Sequence, residues 1–469
     1  MADDKKNTDG FRTGFLGDML RDLQEELGIE NKKSRGKRRR DRASKRPAGK
    51  QKKDDGLTAM PAVHMDRLTE AESASREQSE QRESGAEDFL QGEKLLGTYR
   101  IESEAFKGGM GAVWKVHHEG WDTDLAMKRP RPEAFRTDQQ KENFIRECDC
   151  WINLGLHPNI VSCYYVREIY GVPTIFSEWM ENGDLGSHIK RGTLYAGTEE
   201  EVQERLLDVA IQFARGLHYA HESKLVHQDV KPDNLLLSKD WQAKVSDFGI
   251  SRARSMLTVL EGEWTEREFD DSATQMAPGG GMTPAYCSPE QAARQLLTQR
   301  TDIYSWAVSV LEMYLGYKPW AHGREASGPM AGIACRDYFE MCSERPIPKK
   351  LQELLAKCLA LRPDDRPHDF GRVEAELLGI YRAETGSDYP RHEPQTAADT
   401  ADSLNNRALS FLDLGRAEDA ESLWEAALAK SAGHVNTIFN RALSRWRRGE
   451  IDRAEAEKEL ENSTANEKQ

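Results

Sequence analysis

His227-Gln228-Asp229-Val230-Lys231-Pro232-Asp233-Asn234, followed by Asp247-Phe248-Gly249, is the stretch whose residue types decide the fold. Asp229 is a carboxylate able to orient a hydroxyl and accept its proton. Lys231 is a cation placed to steady a phosphate. Asn234 and Asp247 carry the oxygen ligands that magnesium prefers. In this order the four groups supply what phosphoryl transfer requires: a base, a charge clamp and a metal seat.

Working outward, Phe106-Lys107-Gly108-Gly109-Met110-Gly111-Ala112-Val113 is a glycine-rich loop. Glycine is needed where backbone amides approach phosphates with no Cβ in the way. Leu125-Ala126-Met127-Lys128 brings a lysine onto a strand, and Glu147 lies on the helical stretch before His157-Pro158-Asn159-Ile160. Phe176-Ser177-Glu178-Trp179-Met180 and Asp184 follow. Further on come Thr283-Pro284-Ala285-Tyr286-Cys287-Ser288-Pro289-Glu290, then Asp302, then Arg362-Pro363-Asp364-Asp365-Arg366-Pro367.

Together these motifs, over residues 98–381, resemble the protein kinases, and in phrasing the bacterial Hanks-type Ser/Thr kinases. The resemblance implies an α+β, bilobal fold with a small β-rich lobe and a large helical lobe. It implies ATP and magnesium as cofactors. Gly108, Gly111, Val113 and Ala126 would line the nucleotide site, and Lys128, ion-paired with Glu147 (Glu142 is less well spaced), would hold the α- and β-phosphates. Glu178 and Met180 would offer backbone groups to adenine, so that their side chains matter little. Asp184 has two readings, a ribose contact or a turn residue after Asn182-Gly183. Asp229 and Lys231 would be catalytic, Asn234 and Asp247 the metal ligands. Glu290 would pair with Arg366, and Asp302 would brace the catalytic loop.

Three positions depart from the family pattern. Phe106 stands where the loop usually has its first glycine, and Trp306 replaces a helix glycine. Gln228 stands where most members have the arginine that receives an activation-loop phosphate. Activity is therefore expected not to depend on a phosphate docked there. The acidic run Glu261, Glu263, Glu266, Glu268, Asp270, Asp271 has two readings: a substitute charge engaging Arg252 or Arg254, or a solvated insert.

At 469 residues the chain exceeds one ordinary domain. Its net charge of −14, from 66 basic and 80 acidic residues, argues against nucleic-acid binding by the chain as a whole. Seven cysteines, an odd number with no CxxC pair, read as reduced thiols of a cytoplasmic protein. No apolar run reaches the roughly 18 residues of a membrane span, and no signal-peptide apolar region opens the chain.

Residues 1–94 read as a largely disordered tail. Within it, 11–29 is amphipathic and reads as either a docking helix or a transient one. The basic run 32–53 reads as either a solvated tail or a contact for anionic surfaces or nucleic-acid backbones. After a linker over 382–401, residues 402–462 repeat: Asn406-Arg407-Ala408-Leu409-Ser410 recurs as Asn440-Arg441-Ala442-Leu443-Ser444, with Gly415 and Gly449 in step. This period resembles the tetratricopeptide repeat and implies an all-α segment that binds a protein partner.

Two functions compete. One is an ATP- and magnesium-dependent kinase acting on Ser/Thr hydroxyls of protein substrates, with repeats for recruitment. The other is a pseudokinase scaffold or adaptor that binds partners through the repeats and basic tail; only Phe106 and Gln228 favour the pseudokinase.

Overall fold

The structure is a computed structural model that describes residues 89–107, 111–130, 145, 148–149, 151–170, 172–248, 283–295, 297–332, 346–392, 394, 400–452, 454–456 and 458–459. Segments 11–29 and 32–53, Gly108, Glu142, Glu147 and the acidic run 261–271 lie outside the described residues. Two compact units result: Ala86–Asp399 with Asn406–Ala420, and one that holds Thr400–Asn405 and the residues from Glu421 onward.

The first unit opens with an antiparallel sheet of seven strands: β1 (Lys94–Leu95), β2 (Tyr99–Ile101), β3 (Phe106–Lys107), β4 (Gly111–His118), β5 (Thr123–Pro130), β6 (Cys163–Ile169) and β7 (Val172–Glu178). Two of these strands, β1 and β3, have only two residues each, too short for an alternating pattern to be read from the sequence. The order is β1-β2-β4-β5-β7-β6, with β3 on β4. Alternation fixes the faces. Trp114, Val116, Leu125 and Met127 are buried, while Val113, Ala126 and Lys128 face the other way and stay partly open. Tyr99 and Tyr165 stack on Phe176 with centroids 4.5 and 5.0 Å apart, and Tyr165 donates to or accepts from Tyr99 across 3.0 Å.

The large lobe is built on two helices. α2 (Glu199–Glu222), which follows the short α1 (Leu185–Arg191), starts at a reciprocal cap. Thr198 Oγ1 accepts from Glu201 N, and Glu201 accepts from Thr198 N. Three glutamates in its first turn suit the positive end of the helix. After the hairpin β8 (Leu235–Leu237) and β9 (Ala243–Val245) and the one-turn α3 (Pro289–Ala292) comes α4 (Gln299–Leu315). From Thr301 to Leu315 every residue of α4 is buried, so the helix is enclosed on all sides and forms the lobe's centre. Trp306 is accommodated there: it is fully buried, edge-on to Phe370, and donates to Ala210 O at 3.4 Å. α5 (Gly323–Gly332), α6 (Lys349–Cys358) and α7 (Phe370–Thr385) complete the lobe.

Within the expected linker 382–401, the residues up to 392 are structured. α7 runs to Thr385, and beyond it Tyr389 and Arg391 both reach Asp208 on α2, at 2.6 and 2.8 Å. Arg215 donates to His392 O at 2.9 Å. A tyrosine and an arginine among polar residues gave no periodic pattern to read.

Three helices follow: α8 (Ala401–Asp413), α9 (Ala417–Lys430) and α10 (Val435–Arg447). α10 begins and ends 34 residues after α8 (401 to 435, 413 to 447), and Gly415 and Gly449 end the two with φ of 79° and 73°. In the second unit Asn405 Oδ1 accepts from both Trp424 and Asn440, at 3.3 and 2.9 Å, which satisfies three buried polar groups at once. Among the described residues no helix is long and apolar enough to cross a membrane.

His157, in the loop before β6, is buried and stacks on Tyr219 at 4.4 Å, its Nδ1 accepting from Asn159 N at 3.1 Å. Burial, then the charges of Lys244, Arg215 and His218, lowers its pKa from 6.5 to about 3. The unfolded chain therefore takes up this proton near pH 6.5 while the folded chain does not, and stability falls as pH is lowered through that window. Between pH 7 and pH 5 this group should cost about 2 kcal/mol. Urea unfolding at the two pH values should show that difference reduced by about that amount in His157→Gln.

Candidate active site

The small lobe presents one partly open face toward the catalytic loop. Lys128 on β5 lies opposite Val113 on β4 and Ile175 on β7, and Ala126 lies opposite Ser177. Strand pairing thus puts Val113, Ala126 and Lys128 on a single surface. Gly111 is required for another reason than phosphate access: a Cβ there would strike the carbonyl of Arg129 on β5. Phe106 is 59% exposed and leans on Trp179 with centroids 6.1 Å apart, so its bulk lies outside the core.

Lys128 Nζ reaches across to Asp247 Oδ1 at 2.6 Å. Burial pushes the Asp247 carboxyl up, but Lys128, with His227 and Lys231 farther off, outweighs it and holds the pKa below its ordinary value. Asp247 is thus an anion throughout the neutral range. Its φ of 58° is unusual for a non-glycine residue and aims the carboxylate back toward Lys128.

The catalytic loop is held from below by Asp302 on α4, which is fully buried. Its two oxygens accept from His227 N at 2.7 Å and Gln228 N at 2.8 Å, and Oδ2 also meets His221 Nε2 at 2.8 Å. Gln228 adopts φ 64°, and its carbonyl accepts from Gln291 at 2.8 Å. His227 bonds Ser246 O at 2.9 Å and packs tilted against Phe248 with centroids 4.9 Å apart, joining the loop to the strand end that carries Asp247.

Above that base sits a closed ring of hydrogen bonds. Lys231 Nζ donates to Asp229 Oδ2 at 2.6 Å and to Thr283 Oγ1 at 2.9 Å, and Thr283 Oγ1 donates to Asp229 Oδ1 at 2.9 Å. Asn234 Nδ2 donates to Asp229 O at 2.8 Å and Oδ2 at 3.2 Å. With its amide nitrogen engaged on Asp229, Asn234 has Oδ1 as the side-chain atom that could take a metal. Asp247 keeps Oδ2 beside the Lys128 bond. These two oxygens are hard donors of the kind magnesium takes from protein.

Two supports lie further out. Glu290 and Arg366 form a buried bidentate pair at 2.6 and 2.8 Å, with Thr301 on Glu290 at 2.9 Å. Tyr286 donates to Glu312 at 2.5 Å, and burial together with that carboxylate raises its phenol far above the ordinary range.

Three residues go beyond their sequence reading. Thr283, visible only as part of a motif, closes the ring between Asp229 and Lys231. The Glu178 side chain, expected to be indifferent, is ion-paired by both oxygens to Lys244 on β9 at 2.8 Å, tying the end of β7 to the large lobe. Lys244 carries no sequence signal. Asp184 caps α1, accepting from Ser187 N and Ser187 Oγ at 2.7 Å each, and Met180 is buried.

Comparison with known proteins agrees with this architecture. The protein kinase domain family matches residues 99–374, and the chain belongs to that family. A probable serine/threonine-protein kinase of Streptomyces coelicolor is 27% identical over 65% of this chain and 45% of its own. The serine/threonine-protein kinase PrkC of Bacillus subtilis is 26% identical over 63% of this chain and 42% of its own. The chain thus spans less than half the length of these curated relatives. The PknI kinase domain of Mycobacterium tuberculosis is 20% identical with a TM-score of 0.43, over 62% of this chain and 98% of that one.

Thr283→Ala should free the Asp229–Lys231 pair and, by misplacing the carboxylate, lower kcat by roughly 100-fold with little change in KM for ATP. Thr283→Ser, which keeps the hydroxyl, should stay within about 3-fold of the parent. Steady-state phosphotransfer assays separate the two.

Proposed function

We propose that this chain transfers the γ-phosphate of ATP to serine or threonine hydroxyls of protein substrates. The observation that carries this reading is the ring in which Lys231, Thr283 and Asn234 fix the Asp229 carboxylate. A hydroxyl arriving at Asp229 would be oriented by hydrogen bonding and would lose its proton to that carboxylate as phosphorus is attacked. Lys231 would steady the charge on the transferred group. Lys128 would hold the α- and β-phosphates, Val113 and Ala126 would pack on adenine, and backbone groups of Glu178 and Met180 would read its edge. Gly108, Gly111 and Glu147 belong to the same set by their place in the motifs. The lone pairs that Asp184 does not give to Ser187 would accept a ribose hydroxyl. Asn234 and Asp247 would hold magnesium, which when bound neutralises charge on the phosphate oxygens.

The paired helices from residue 401 onward, with their 34-residue step, support a tetratricopeptide-type segment that recruits a protein partner. The basic run 32–53 would contact anionic surfaces. Its odd number of cysteines, with no CxxC pair, supports reduced thiols and a cytoplasmic location.

The enzyme reading is tested by labelled phosphate transfer from Mg-ATP to a generic Ser/Thr-containing protein. Asp229→Asn should lower the rate by roughly 100-fold or more; equal labelling by parent and variant contradicts the reading.

Gln228 sets the mode of control. Its backbone is fixed from both sides by Asp302 and Gln291, so the loop holds its shape without a phosphate. Its side chain has no charge to offer one. Phosphatase-treated protein should therefore keep its activity within about 3-fold of untreated protein, and loss of activity on treatment contradicts this.

A further inference from the structure

The family match ends at residue 374, yet the compact unit that contains the site also takes in Asn406–Ala420. Arg407, Ser410 and Asp413 follow at intervals of three on α8 and so share one face. All three reach the small lobe. Ser410 Oγ accepts from Val166 N at 3.0 Å, and both residues are fully buried. Asp413 Oδ2 accepts from Arg167 Nε at 2.8 Å and from Glu168 N at 3.4 Å. Arg407 donates to Asn153 at 2.9 Å, and Arg416, past the turn at Gly415, pairs with Asp149. Asp149 and Asn153 lie one helical turn apart in the segment that precedes β6.

These contacts fall at a structurally specific place. β6 is an edge strand of the sheet, and an edge strand leaves backbone N–H groups unpaired on alternate residues. Val166 and Glu168 are two such residues, and the side chains of α8 cover both. Val166 lies opposite Ile175, and Ile175 lies opposite Lys128. The anchor on α8 is therefore attached to the same cross-strand row as the phosphate-holding lysine, two strands away.

We infer that Ser410 and Asp413 are positioning residues for Lys128: the first helix of the repeat segment serves the catalytic unit in cis by fixing the edge of its sheet. This inference rests on the proposed role of Lys128 in holding ATP phosphates. It assigns this face of α8 to the chain's own small lobe, so a recruited partner must use other faces of the repeats.

The test uses the full chain and compares affinities for ATP and for adenosine by calorimetry, since only ATP reports on the lysine. Parent protein should prefer ATP, and Lys128→Met should lose that preference. Ser410→Ala combined with Asp413→Ala should weaken ATP binding by roughly 3- to 30-fold and leave adenosine binding within about 2-fold. Asp413→Asn, which keeps the acceptor, should stay within about 2-fold of the parent for both ligands. ATP affinity unchanged in the double variant, or an equal loss for ATP and adenosine, overturns the inference while leaving the kinase reading intact. A parent protein with no preference for ATP overturns the role of Lys128, and this inference with it.

Discussion

One buried carboxylate shapes the active site. Asp302 has no solvent contact, and it is satisfied by two backbone N–H groups and one imidazole. A charge buried without such partners would be costly, so the loop must come to it. Bonding consecutive amides of His227 and Gln228 forces the chain through the left-handed region at Gln228. That reversal sets the direction in which Asp229 leaves the loop. Everything nearer the chemistry, from the Thr283 bridge to the Asn234 amide, then closes around a carboxylate whose position was decided two residues earlier.

The second constraint is how the two lobes are kept in register. Lys128 and Asp247 meet across the cleft at 2.6 Å, and Glu178 and Lys244 meet beside it at 2.8 Å. Both pairs join a small-lobe strand to the segment around β9. The same segment is tied to the catalytic loop through Ser246 and His227. Asp247, Glu178 and the loop that carries Asp229 therefore lie on one connected network. Chain beyond the family's usual end adds to this frame: Tyr389 and Arg391 are fastened to α2, and α8 is fastened to the sheet edge.

Much of this was legible because kinase chemistry constrains residue types at fixed spacings. Asp229, Lys231, Asn234, Asp247 and Lys128 are brought together as their motifs imply, and the Glu290–Arg366 pair forms as expected. Residues whose roles come from tertiary contact alone were not legible. Lys244 is one lysine in a short buried strand, and nothing in its neighbours announces Glu178. Thr283 acquires its role only through contact with Asp229, 54 residues away in the sequence. Tyr389 and Arg391 sit in a stretch whose composition reads as linker. Trp306 broke a family pattern, and only the packing against Phe370 and Ala210 shows why the lobe tolerates it.

The central claim is that Asp302 creates the catalytic geometry without taking part in the reaction. Asp302→Asn keeps the shape but turns one acceptor into a donor facing backbone N–H groups. The decisive measurement is the phosphotransfer rate of this variant beside its affinity for ATP. The account predicts a kcat lower by roughly 100-fold, because Asp229 is misplaced, and ATP affinity within about 3-fold of the parent, because Lys128 and its sheet are untouched. A variant that keeps its kcat, or loses rate and ATP affinity in equal measure, would contradict it.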